Sequence, residues 1–367
     1  MAHTPGSPRQ FESAWAKTVS VKPQLVVIFT RQLASMLENA VPILSAMNTL
    51  SHQAANPNFG EVIRLCCERI ETGGDFSRAI ANFPKVFPPI YKTMVQIGEQ
   101  TGALDSALDR LALWLERDEA LRQRLKSALV YPAFVSATAF CMTLGIFYTI
   151  MPIFVGIFAD MKIELPAITK LMVLITSVLR SPPQMLLLLA LVTTSITYFR
   201  RWTSTLAGYA TFIQICLKVP VLGDMLCFGA LARFCSAMEA LLQTGMDITT
   251  SLRMAASASG SPLLQKDSPA LVASVVEGNP LVDHMNKFPE IYPTTLRNMI
   301  GSGEEVSRLP EMFSRTATFY ELEMNYKVEA LGATLEPVLL AGVSMIVATI
   351  VLSIFLPLYS YIGQLGM

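Results

Sequence analysis

Gly98-Glu99-Gln100-Thr101-Gly102-Ala103-Leu104 returns 205 residues later as Gly303-Glu304-Glu305-Val306-Ser307-Arg308-Leu309. The same offset lays Phe83-Pro84 on Phe288-Pro289, Pro88 on Pro293 and Gly73 on Gly278. It also carries Phe29, Leu37 and Ile43 onto Phe234, Leu242 and Ile248, and Glu116 and Pro132 onto Glu321 and Pro337. A constant offset without gaps over such a length marks a duplicated structural unit.

Each copy reads as helical. In the first, Gln24 to Met47 forms an amphipathic helix pair broken around Asn39 to Pro42. Gly60 to Ile70 forms a third helix, stopped by Gly73-Gly74. Asp75 is placed to cap a short helix from Phe76 to Asn82, and Pro84 to Pro89 makes a turn before a helix from Ile90. After Gly102, Leu104, Leu108, Leu111 and Leu115 recur at spacings of four and three, one apolar stripe along a long helix. No segment alternates with the period of a strand. The expected fold is all-α: two repeated antiparallel bundles of about six helices each, plus three transmembrane helices.

The 367 residues are 52% hydrophobic and only 15% charged, where an ordinary soluble domain is roughly 25% charged. Three uncharged stretches approach or exceed the roughly 20 residues that cross a bilayer core of about 30 Å. They are expected at 133–158, 182–199 and 337–361. Positive charge sets the orientation. Arg122, Arg124 and Lys126 precede the first span and Arg200-Arg201 follow the second. The loop between them carries only Lys162, Lys170 and Arg180, and no Lys or Arg follows Lys327.

The resulting layout is a cytoplasmic tail at 1–22, the first bundle at 23–132, and a periplasmic loop and amphipathic helix at 159–181. The second bundle occupies 200–336, and the C-terminus is periplasmic. Each bundle is expected to feed a span through a proline, Pro132 or Pro337, standing in the first turn where a missing amide costs least. The second span returns the chain so that both copies share one side.

Chemistry is sparse. A net charge of zero supplies no basic surface for nucleic acid. His3, His52 and His284 stand apart from Cys, Asp and Glu at ligand spacing, so no metal site is expected. No Gly-x-Ser-x-Gly and no paired nucleophile and base are present, so no catalytic residues and no cofactor are assigned. The six cysteines, Cys66, Cys67, Cys141, Cys216, Cys227 and Cys235, lack Cys-x-x-Cys spacing and read as reduced thiols. A transporter would carry polar residues inside its spans and a membrane enzyme a convergent polar constellation; the sequence displays neither.

The candidate sites are therefore contact sites. Gly98, Glu99, Gly102 and Leu104, with Gly303, Glu304 and Leu309, have two readings. One is a tight helix-to-helix turn in which glycine supplies positive φ and the carboxylate bonds nearby amides. The other is a surface for a cytoplasmic partner. They do not form a phosphate cradle, since no Lys-Ser/Thr follows the glycines. Glu336, beside Pro337 at the membrane edge, is either an interfacial side chain or a polar contact between spans. Tyr131 holds the matching position in the first copy.

Together with these turns, Phe29-Thr30-Arg31-Gln32-Leu33, Leu165-Pro166-Ala167-Ile168-Thr169, Ala232-Arg233-Phe234 and Leu335-Glu336-Pro337 give the chain a layout that resembles the GspF/PilC family over about residues 25 to 360. That family comprises inner-membrane platform proteins of type II secretion systems and type IV pili. The resemblance implies a homo-oligomeric scaffold in the lipid bilayer. It further implies contacts with a hexameric assembly ATPase, with pilin or pseudopilin subunits and with other inner-membrane assembly proteins. Asn39-Ala40 stands where the family usually has Ala-Gly, Ser307 replaces the second glycine of its motif, and the extra N-terminal region of longer relatives is nearly absent.

Overall fold

The computed structural model describes residues 15–161 apart from 17, 166–203 and 222–365. Most of the expected tail, together with His3, Leu165 and Cys216, lies outside them. Among the described residues there is no strand, and the chain divides into two units.

The first unit holds the bundle portion of both repeats, and the last helix of each continues into the second unit. In repeat one, α1 (Pro23–Glu38), α2 (Ile43–Gln53), α3 (Pro57–Glu71), α4 (Phe76–Ile80) and α5 (Pro89–Thr101) precede the long α6 (Leu104–Gly145). The chain continues through a π-helical turn, Ile146–Ile150, into α7 (Met151–Met161), then α8 (Ala167–Arg180) and α9 (Pro182–Thr203). Repeat two follows as α10 (Leu222–Gln243), α11 (Ile248–Ser259), α12 (Pro262–Val276), α13 (Leu281–Lys287), α14 (Thr294–Glu305) and the long α15 (Leu309–Leu365).

The duplication extends to single caps. Asn56 and Ser261, 205 residues apart, open α3 and α12 with side chains that accept from backbone N–H groups of the first turn. Three helices in each repeat end in the same left-handed turn, at residues 40, 73 and 102 and again at 245, 278 and 307. At two of these pairs one copy uses glycine and the other does not. Ala40 (φ 59°) answers Gly245 (φ 84°), and Ser307 (φ 56°) answers Gly102 (φ 71°). The turn is thus imposed by packing where the residue type does not favour it.

Repeat one closes over Phe29, Phe59, Phe87 and Tyr91, with Phe29 and Phe59 edge to face at 5.5 Å. The Leu108, Leu111 and Leu115 stripe of α6 is buried. Arg31 of α1 clasps α6, its Nε and Nη2 donating to the two carboxylate oxygens of Glu116 at 2.7 and 2.8 Å and its Nη1 to Asp109 at 2.6 Å. The repeats are tied by Arg117 Nη1 to Glu239 Oε2 at 2.8 Å and Arg110 Nη1 to Gln243 Oε1 at 2.7 Å.

Two expectations are corrected. Pro132 and Pro337 do not open helices; both lie inside helices that run on unbroken. Within these helices no left-handed residue or other helix-ending turn precedes either proline, so the preceding helix runs on. A proline's lost hydrogen bond distorts such a helix without terminating it. The second correction concerns Asp75. It occupies the position before α4, but its carboxylate pairs with Arg78 at 2.9 Å and makes no bond to the amides of the helix.

Three described helices are apolar and long enough to cross a membrane by length and composition: Leu104–Phe158, Gly223–Gln243 and Leu309–Tyr359. Burial separates them. The apolar window of Gly223–Gln243 is 67% buried, because it belongs to α10 in the core of repeat two, whereas those of the other two are 11% buried. The 22 residues of α9, roughly 33 Å of helix, likewise expose Met185, Leu186, Leu187, Leu191 and Tyr198.

In the second unit, Met172 of α8, with Ile175 and Leu179, packs on Phe147, Met151, Ile350 and Ile354. Thr169 Oγ1 donates to the Ser353 carbonyl at 2.9 Å. Pro357, four residues on, has no N–H to offer that carbonyl, so α8 supplies the missing donor. At the matching position in repeat one, Pro152 follows the π-helical turn, in which Met151 N–H reaches back to Ile146.

Candidate functional site

The Gly-Glu motif is built at the end of α5 and again at the end of α14. Gly98 faces α6: a Cβ there would lie 2.7 Å from Ala107 Cβ and 3.0 Å from Leu104 Cα. Gly303 is equally tight, with Met312 Cβ at 2.8 Å. Contact this close excludes any side chain without displacement of the long helix. The turn then closes through Ala103 N–H to Gly98 O at 2.9 Å and Arg308 N–H to Gly303 O at 2.8 Å.

The glutamates work at a distance. Glu99 Oε1 accepts from Phe76 N–H at 2.5 Å and Ser77 N–H at 3.3 Å, at the start of α4. Glu304 accepts from Leu281 N–H at 2.7 Å and Val282 N–H at 3.3 Å, at the start of α13. Each carboxylate, half-buried, satisfies orphan amides of a helix that begins 23 residues earlier, and its charge complements the positive end of that helix. A single motif thereby fixes three elements: α4, α5 and α6 in one copy, and α13, α14 and α15 in the other.

The residues of each motif are brought together within their own repeat. Glu336 and Pro337 form no part of either cluster: they lie in α15 within the second unit, Glu336 exposed, as Tyr131 is in α6.

A buried polar group escaped the sequence reading. His284 is not isolated. Its Nε2 lies 3.1 Å from Asp267 Oδ2, to which the Tyr292 hydroxyl donates at 2.7 Å. All three are buried. Burial, and then the hydrogen bond with Asp267, pushes the Tyr292 phenol up, so it remains a donor. The repeat offset holds the signal that could have found this group: repeat one has Val62, Ala79 and Phe87 at the same three places, all buried. Among the described residues no three His, Cys, Asp or Glu side chains converge as metal ligands.

Two comparisons bear on this architecture. The family described as type II secretion system (T2SS), protein F, matches residues 29–152 and again 234–357, the same 205-residue step that relates the two Gly-Glu turns. The chain belongs to this family.

Among its relatives, a type IV pilus assembly protein PilC of Thermus thermophilus is 33% identical over 93% of this chain and 83% of its own length. The PilC of Myxococcus xanthus is 28% identical over 93% of this chain and 81% of its own. Type II secretion system protein F of Pseudomonas aeruginosa is 24% identical over 91% and 82%. Membership in the family accounts for the doubled architecture, since each matched region runs from a bundle into an apolar helix.

Proposed function

We propose that this chain is a non-enzymatic inner-membrane platform of a type IV pilus or type II secretion machine, which couples a cytoplasmic assembly ATPase to pilin or pseudopilin subunits. The observation that carries this reading is the twofold family match at one offset, each copy a bundle whose last helix continues into an apolar segment. A helix unbroken from bundle to span, α6 or α15, is a physical link along which displacement of a bundle reaches the bilayer. Spans at 133–158, 182–199 and 337–361, with a cytoplasmic N-terminus and periplasmic C-terminus, place both bundles where an ATPase can reach them.

On this reading Gly98, Glu99, Gly102 and Leu104, with Gly303, Glu304 and Leu309, form partner-contact turns that present α4 and α13 at fixed angles. Glu336 and Pro337 make a polar contact at the membrane edge in the homo-oligomer. A strain lacking the gene is expected to lose piliation or secretion, and the protein to co-purify with the system's ATPase. Normal piliation and secretion in the deletion strain would refute the proposal. Glu99→Ala and Glu304→Ala are expected to impair assembly with the protein still in the membrane fraction; full activity in both would remove these turns from the contact surface.

A further inference from the structure

Within the first unit the two bundles meet through α6 of repeat one and α10 of repeat two. Arg110, Trp114 and Arg117 form one face of α6, set against Glu239, Ala240 and Gln243 of α10. Arg110 bonds Gln243 and Arg117 bonds Glu239, so residue numbers rise on one helix as they fall on the other and the pair is antiparallel. Beside them α5 rests on α11. The last two helices of one repeat therefore hold the first two of the other.

A two-fold relation between the repeats would also produce the reciprocal contact, α14 and α15 against α2 and α1. Here it is not made. Arg315, Phe319 and Leu322 hold in α15 the places of Arg110, Trp114 and Arg117, and all three are exposed. Phe319 is 36% exposed where Trp114 is 6%. In α1 the places of Glu239, Ala240 and Gln243 fall to Ala34, covered within its own bundle, and to Ser35 and Glu38, both exposed. Among the described residues neither Glu38 nor Arg315 has an ion-pair partner. The contact is heterologous, and each chain keeps one unused copy of both of its faces.

The two unused faces match each other. Moved by 205 residues, the register of the α6–α10 contact sets Arg315 opposite Glu38, so a guanidinium meets a carboxylate where Arg110 meets an amide. It sets Leu322 opposite the small Ala34, an apolar pair in place of Arg117 and Glu239, and lays Phe319, in place of Trp114, along Ser35.

We infer that a second copy of this chain docks its α1 on the α15 of the first, so that the contact made by α6 and α10 inside a chain is repeated between chains. Head-to-tail contacts of this kind build rings when their rotation closes. The surface gives the homo-oligomer of the proposed platform its contact between bundles, and rests on that reading only for the presence of further copies.

Two full-length copies with different affinity tags, one carrying Glu38→Cys and the other Arg315→Cys, are co-produced in the membrane and oxidised with copper phenanthroline. A disulfide joining the two tags is expected, above the background set by the six native cysteines. Glu38→Cys paired with itself, and Arg315→Cys with itself, are expected to stay at that background. Arg315→Glu, which sets two carboxylates face to face, is expected to lower co-purification of the two tags by about threefold or more, and Glu38→Arg in the same chain to restore it. No mixed cross-link above background overturns the proposal, as does an equal cross-link in the self-paired samples, which would show an isologous interface. A cross-link from Arg315→Cys to a different protein in place of the second copy also overturns it. A double variant that associates no better than Arg315→Glu refutes the pairing on which the contact is built. Loss of piliation or secretion on deletion, together with no mixed cross-link, would leave the platform reading standing without this contact.

Discussion

Replacing Asp267 with valine, the residue that repeat one uses at the same place (Val62), removes the acceptor shared by His284 and Tyr292. Both donors are then stranded, at 5% and 1% exposure. At roughly 1–3 kcal/mol for each buried unsatisfied group, Asp267→Val is expected to cost about 2–6 kcal/mol. For a unit of this size 1 kcal/mol moves Tm by about 2–4 °C, so the apparent Tm falls by at least about 4 °C. The triple variant Asp267→Val, His284→Ala and Tyr292→Phe installs the whole apolar set of repeat one and strands nothing. Its remaining cost is whatever space His284→Ala leaves unfilled. Replacing a complete buried polar cluster by apolar residues is often neutral or stabilising, whereas removing one member is not. The triple variant is therefore expected to regain at least half of the loss. Thermal unfolding of the purified membrane protein by near-ultraviolet circular dichroism at one fixed scan rate measures all of these. A triple variant less stable than Asp267→Val would refute the reasoning, because the losses would then add instead of cancelling.

Ser307→Gly and Ala40→Gly relieve a left-handed backbone that costs an L-residue roughly 1–2 kcal/mol, offset in part by the greater freedom of unfolded glycine. Each is expected to raise Tm slightly, and Gly102→Ser and Gly245→Ala to lower it; a fall in both glycine variants would show that the side chains contribute more than the strain. Hydrogen bonding from Arg31 holds the Glu116 carboxyl below its ordinary value of 4.5. The stability it lends is present above that value and lost as pH falls through the lower folded one. The Tm gap between wild type and Arg31→Met should therefore shrink between pH 7 and pH 3, and a gap constant with pH would count against the pair. Burial pushes the Cys66 thiol up to about 12 and also raises Cys235. Peptide mapping after maleimide treatment at pH 7.5 should find both unmodified in the native protein and modified after denaturation; rapid native labelling of Cys66 would contradict its burial.

The repeat, the all-helical character and the presence of apolar helices long enough to cross a membrane were legible in the sequence because each rests on local regularity. A constant offset, a spacing of three and four, and an uncharged run about as long as the bilayer is thick need no knowledge of distant partners. Glycine at residues 73 and 278 marks a turn for the same reason: backbone conformation is a property of the residue itself.

What only the tertiary structure decided concerns groups whose partners lie far along the chain. The Gly-Glu motif announced itself, yet that Glu99 caps α4 and Glu304 caps α13 follows from how α5 and α14 pack. Asp75, the local choice for a cap, was set aside because a carboxylate from another helix reaches the amides first. His284 looked solitary until folding brought Asp267 within 3.1 Å. The apolar α10 is a core helix rather than a span because repeat two closes around it. Composition states that a side chain must leave water or find a polar partner; which neighbour receives it is settled by packing alone.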